Sequence, residues 1–180
     1  TEYITLLNTT GRYEDADSCM MSHNFHPWEG GEGKITAQYV FSLTATAKQE
    51  IENGNYKRAV ELLSKTAEYP HNLGEGKLYG AQENLQNYLL GFAYEKLGDN
   101  EKATACYEKA AAGLSEPKSA MYYNDQPPET IFCQGIALLK LGREKDANER
   151  FDKLIKYADA HIDDDVKIEY FAVSLPDFLV

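Results

Sequence analysis

Cysteine is scarce in this sequence, and what there is forms no pattern. Cys19, Cys106 and Cys133 are odd in number and far apart, which fits neither a disulfide framework nor the paired spacing of a metal site. Read as small apolar side chains, they favour a reducing compartment such as the cytoplasm. Long apolar runs are missing as well, and nothing approaches the roughly 18 consecutive apolar residues of a membrane span. Basic residues are outnumbered, with 18 Lys and Arg against 29 Asp and Glu and a formal net charge of −11. That balance repels phosphate backbones and anionic lipid, which argues against nucleic acid and membrane as partners. No Ser/His/Asp or Cys/His arrangement emerges, so no catalytic residue and no cofactor are expected. His23 and His26 stand three apart in a loop, and spacing places no third ligand beside them, so no metal site is expected either. The chain begins at Thr1 and closes on the apolar PDFLV. We read it as part of a longer polypeptide, with any targeting signal outside it.

What the sequence does contain is repetition. TGRYEDA at 10–16, NGNYKRA at 53–59, LGDNEKA at 97–103 and LGREKDA at 141–147 align. Their glycines, Gly11, Gly54, Gly98 and Gly142, step by 43, 44 and 44 residues, and Ala16, Ala59, Ala103 and Ala147 keep the same steps. A fixed period of this size marks a stacked-repeat architecture. Ahead of each glycine lies a stretch with apolar residues at helical spacing, such as Leu85, Tyr88, Leu89 and Phe92. The glycine ends that helix, because it alone enters the left-handed conformation without strain. A shorter amphipathic helix follows. In 100–113, Ala103, Cys106, Tyr107 and Ala110 share one face, with Glu101, Lys102, Glu108 and Lys109 opposite. The expectation is a single all-α domain over 1–180. It would hold a partial repeat at 1–24, helix pairs at 34–68, 82–113 and 127–160, and a capping helix over 162–175 begun by Asp163, Asp164 and Asp165. Pro176 would stop that helix, and the apolar tail beyond it would dock on a neighbouring chain or domain.

The spacing of Leu90, Gly91, Tyr94, Ala103, Tyr107 and Ala110 resembles the tetratricopeptide repeat, a helix–turn–helix of 34 residues. Gly135, Leu138, Ala147 and Phe151 match in the next unit. Ala47 and Leu63 stand in the unit before, where the glycine and the aromatic would be. The units here run about ten residues longer, the excess falling at 22–33, 69–81 and 113–127, between one pair and the next. The resemblance implies a TPR-like α–α superhelix, a right-handed solenoid of helix pairs, with these long segments along one edge. It also implies a non-enzymatic interaction scaffold. Its groove positions fall on Thr44, Lys48, Tyr88, Phe92, Phe132 and Ile136, a mainly apolar and aromatic lining. Of the basic residues and asparagines that clamp a carboxyl terminus in chaperone-binding relatives, only Lys48 is matched. An extended apolar segment or a neighbouring domain is then the expected partner. The same six residues at helical spacing also read simply as core.

The run FHPWEGGEGK at 25–34, NLGEGK at 72–77 and EYFAVSLPDFLV at 169–180 are similar to the tetratricopeptide-like C-terminal part of certain large, poorly characterised bacterial proteins. In those proteins a carbohydrate-associated β-sandwich domain precedes the repeats. The resemblance implies a setting in sugar metabolism and makes the protein's own N-terminal domain a candidate partner.

The doubled GEGK invites a phosphate-loop reading, which fails on the residues. Trp28 stands where the first glycine of that motif belongs, Ile35 and Leu78 follow the lysines in place of Ser or Thr, and no strand precedes either copy. The plainer reading is a shaped connector, with Pro27 fixing its entry and Trp28 buried against the stack. The alternative is a small patch of His26, Trp28, Glu29, Glu32 and Lys34, suited to carbohydrate by ring stacking and polar contacts, which would make the protein a carbohydrate-binding or glycoside-processing one whose sugar site this loop shares with an N-terminal domain.

Overall fold

The computed structural model describes residues 1–28, 30–118 and 125–165. Among them are eight α-helices and one short 3₁₀ turn, with no strand. The helices are α1 (Glu2–Thr9), α2 (Tyr13–Met21), α3 (Lys34–Glu52), α4 (Tyr56–Lys65), α5 (Asn84–Lys96), α6 (Asn100–Ala110), α7 (Glu129–Lys140) and α8 (Glu144–His161), with the 3₁₀ turn at His71–Leu73. Most of the capping helix expected over 162–175, and the whole tail beyond Pro176, lie outside the described residues. The aspartates read as its first turn lie outside any helix: α8 ends at His161, and Asp164 Oδ2 sits 2.6 Å from the His161 ring nitrogen.

One turn closes every pair. Gly11, Gly54, Gly98 and Gly142 carry φ of 77°, 79°, 82° and 72°. Each glycine amide donates to the carbonyl three residues back and the next amide to the carbonyl five back, as in Arg12 to Leu7 at 2.8 Å and Arg143 to Leu138 at 2.9 Å. These bonds satisfy carbonyls that the helix end leaves orphaned. A Cβ at any of the four glycines would meet nothing within 4 Å, so what excludes a side chain is the left-handed backbone alone.

Gly91 and Gly135 serve a different purpose. Both lie inside helices, and a Cβ would fall 2.6 Å from the Tyr107 ring at Gly91 and 2.2 Å from the Phe151 ring at Gly135. Small residues there let each ring of the second helix lie on the first helix. The same register position is Ala47 opposite Leu63 in α3–α4, and Ile4 opposite Met20 in α1–α2, all buried. The side chain on the first helix grows as the ring opposite is replaced by a slimmer or more pliable one, as close packing requires.

Each second helix packs on its own first helix, α2, α4 and α6 pack also on the first helix of the next pair, and α1, α3, α5 and α7 meet along one side. That side is the inner face of the stack. Leu43, Leu62, Leu63, Leu73 and Leu89 join a core running from α1 to α5, and Ala103, Tyr107, Ala110 and Ala137 form a second between α6 and α7.

The connectors close the open ends of the second helices. Asn72 Nδ2 donates at 2.8 Å to the carbonyls of Met20, in the last turn of α2, and His23, just beyond it. Lys77 Nζ reaches the Thr66 carbonyl beyond α4 at 2.7 Å. Asn84 Nδ2, from the first residue of α5, reaches the carbonyls of Ala110, the last residue of α6, and Ala112, just beyond it, at 2.8 and 2.7 Å.

Candidate functional site: the inner groove and the connector edge

The two GEGK copies meet. Gly33, at φ 76°, precedes α3, and its amide donates to Glu75 Oε1 at 2.8 Å. Thr36 Oγ1 lies 3.5 Å from Glu75 Oε2. The carboxylate of the second loop therefore caps the helix that the first loop begins, where a negative charge complements the helix dipole. The loops also touch through their backbones. Phe25 donates to the Asn72 carbonyl at 2.7 Å, and a Cβ at Gly74, whose φ is +76°, would fall 2.3 Å from the Phe25 carbonyl oxygen. Lys77 is committed to Thr66 and to an ion pair with Glu83. The motif is a joint between connectors.

Residues of the HPWEGGEGK loop have separate surroundings. His26 lines a cavity of about 650 Å³ with Asn72, Gly74 and Glu75. The Glu32 carboxylate turns back on its own loop and accepts from the Gly30 amide at 2.7 Å. Lys34 is exposed at the start of α3. Trp28 is not buried against the stack as expected: its ring lies over Gly31, where a Cβ would come within 2.7 Å, and it stays 57% exposed. Gly31 is the buried partner, which allows the ring to fold onto its own loop instead of onto a helix. Glu29 lies outside the described residues.

Of the six groove positions, Thr44 and Lys48 line a cavity of about 590 Å³ along α3, together with Tyr13, Val40, Phe41 and Leu85. Thr44 is buried and accepts from Gln86 Nε2 at 3.2 Å, which ties α3 to α5. Tyr88 packs on Tyr107 with ring centres 5.9 Å apart. Phe92 has Lys96 and Lys140 at 5.2 and 5.4 Å from its ring centre and Tyr56 edge-on at 6.5 Å. Phe132 is 52% exposed beside Phe151, and Ile136 is half-buried. Next to Phe92, Glu95 accepts from Tyr107 Oη at 2.6 Å and from Lys140 Nζ at 3.0 Å. The Tyr107 hydrogen bond, with Lys140 behind it, holds the Glu95 carboxyl below its usual range. Burial, reinforced by Glu95, pushes the Tyr107 phenol upward.

Three residues beyond those expected shape the site. Phe41, 50% exposed, shares the face of Ala37, Thr44 and Lys48, a helical spacing visible in the sequence. Tyr69 lines all three cavities, including one of about 470 Å³ at the connector edge with Glu75, Tyr79, Gln82 and Asp125. It stands edge-on to Tyr39 at 6.4 Å with Lys77 over its ring at 5.6 Å. Glu75 is the third. No sequence signal assigns Tyr69 or Glu75, because both act from irregular connectors. Among the described residues, no three His, Cys, Asp or Glu side chains are placed to hold a metal ion, and no helix is long and apolar enough to cross a membrane.

The family model for the tetratricopeptide repeat matches residues 87–112, which cover most of α5 and all of α6. With that match and the all-helical stack, the fold is a TPR-like α–α solenoid.

Proposed function

We propose that the chain is a non-enzymatic protein-interaction scaffold whose inner groove along α3 takes an extended polypeptide segment, from another chain or from another part of the same one. The observation that carries this reading is the cavity of about 590 Å³, where Phe41 stands half-exposed beside Val40, Leu85 and Tyr13 on the face that tetratricopeptide-like stacks turn inward. An aromatic left in water at the floor of a groove is an anchor point for an apolar side chain. Peptides selected from a random 12-residue phage-displayed library should bind the chain and lose binding when Phe41→Glu is introduced, with the melting temperature unchanged. Selected peptides indifferent to that change would refute the reading.

The exposure of Trp28 supports a second reading, in which a sugar stacks on the HPWEGGEGK loop. Because Trp28 is the sole tryptophan, its fluorescence reports this directly. Saturable quenching by a panel of mono- and oligosaccharides, with calorimetric binding of the same sugars lost in Trp28→Ala, would favour it, and an unchanged spectrum would remove it.

A further inference from the structure

Resting on the reading of the inner groove as a polypeptide site, we propose that groove and connector-edge cavity form one trough, whose occupant carries a large apolar side chain and, about three residues away, a Lys or Arg. Ala37 and Tyr69 line both cavities, so the two adjoin across α3. Their combined lining runs from Gly33 to Glu52, the length of α3 with its cap. At 1.5 Å per residue that is about 28 Å, which an extended segment of roughly eight or nine residues spans.

The two ends of the trough differ in chemistry. The α3 mid-section offers Val40, Phe41 and Leu85 to an apolar side chain. At the connector end, the Glu75 carboxylate has no ion-pair partner among the described residues. Glu75 accepts from the Gly33 amide and the Thr36 hydroxyl, both neutral donors. The lysine of its own motif, over the Tyr69 ring at 5.6 Å, is bonded to the Thr66 carbonyl and paired with Glu83, not with Glu75. At the waist, burial, with the charges of Glu83 and Glu75, pushes the Tyr69 phenol upward. A cation is favoured here and a carboxylate repelled, and the net charge of −11 steers approach in the same sense. Lys48 and Glu52 at the far end carry opposite signs and select neither.

The spacing follows from the helix. Glu75 is held at Gly33 and Thr36, eight and five residues before Phe41. Along the axis that is about 8–12 Å, or roughly three residues of extended chain.

The test uses the full chain and the peptides selected from the random 12-residue library, resynthesised with a fluorophore and measured by anisotropy. Enriched sequences should pair an aromatic or branched aliphatic residue with Lys or Arg about three positions away. Exchanging that basic residue for Glu should weaken binding by about tenfold or more, a change made on the peptide that leaves the protein untouched. Glu75→Gln, which keeps an oxygen for Gly33, should weaken the basic peptide several-fold and leave its Lys→Gln version unaffected. Ala37→Trp, at an exposed position on the waist, should block binding altogether. Peptides lost with Phe41→Glu yet indifferent to their own basic residue and to Glu75→Gln would overturn this inference and leave the groove reading standing. Peptides indifferent to Phe41→Glu, or no enrichment, would overturn both. Self-association in sedimentation velocity that Phe41→Glu abolishes would assign the trough to a second copy, which also overturns it.

Discussion

At the scale of single residues, two kinds of glycine recur for unrelated physical reasons. Gly11, Gly54, Gly98 and Gly142 are needed for a backbone angle, and Gly91 and Gly135 for space. The second kind makes a sharp test, because the stack already contains its alternative in buried Ala47 opposite Leu63. Gly135→Ala gains up to about 1 kcal/mol of helix propensity, but it drives a methyl into the Phe151 ring, and overpacking costs about 1–3 kcal/mol. Phe151→Leu alone leaves a void and costs about 1 kcal/mol or more. The double variant recreates the Ala47–Leu63 pairing and should be clearly more stable than the sum of the two changes. Urea denaturation of the four proteins measures this coupling. Additivity within about 0.5 kcal/mol would mean that the two positions are independent.

At the scale of helices, the joins between pairs carry the polar contacts. Asn84 is buried and donates to two carbonyls at the C-terminal end of α6 from the first turn of α5. Asn84→Ala should cost about 1–3 kcal/mol, because those carbonyls lose their donor. Asn84→Asp, close in shape but turning an acceptor toward them, should cost more, and thermal melts would show the order. A second join links three helices through Glu95, Tyr107 and Lys140. The carboxyl of Glu95 has a folded-state pKa below its ordinary value. Its contribution is therefore present above the unfolded value near 4.3 and is lost as pH falls through the lower folded one. Glu95→Gln should melt below the wild type at pH 7, and the difference should shrink below about pH 4. A gap that stays constant across that range would show that the charge of Glu95 contributes nothing to the join.

At the scale of the molecule, the main helix contacts among the described residues are within a pair or between adjacent pairs, and the apolar interior includes one core from α1 to α5 and another between α6 and α7. Stability in such a stack is close to a sum of units and their interfaces, so damage stays local. Ala147 is fully buried where α8 crosses α7. Ala147→Leu should overpack that crossing by about 1–3 kcal/mol. Hydrogen exchange should then show faster exchange of the α7 and α8 amides, with α1–α4 nearly unchanged. Uniform loss of protection along the chain would mean that the stack opens as one unit.

The all-helical class and the place of each inter-helix turn were determined by the sequence alone. Helical periodicity and left-handed glycines are local: each depends on residues a few positions apart, and the 43- and 44-residue steps repeat that local message four times. Phe41 was legible in the same way, as one more residue on the face of Thr44 and Lys48. The connectors were not. Their shape comes from contacts between segments about forty residues apart, such as Glu75 with Gly33 and Asn72 with Met20 and His23, and no periodicity encodes such pairings. That is why GEGK could be recognised as a recurring element while its partner could not, and why Trp28 is exposed where burial was expected. Tyr69 becomes a wall of three cavities only once the tertiary fold brings α3, the connectors and α5 around it. Burial and charge at a site belong to what surrounds a residue in space, and for a residue in an irregular segment only the packed chain decides that.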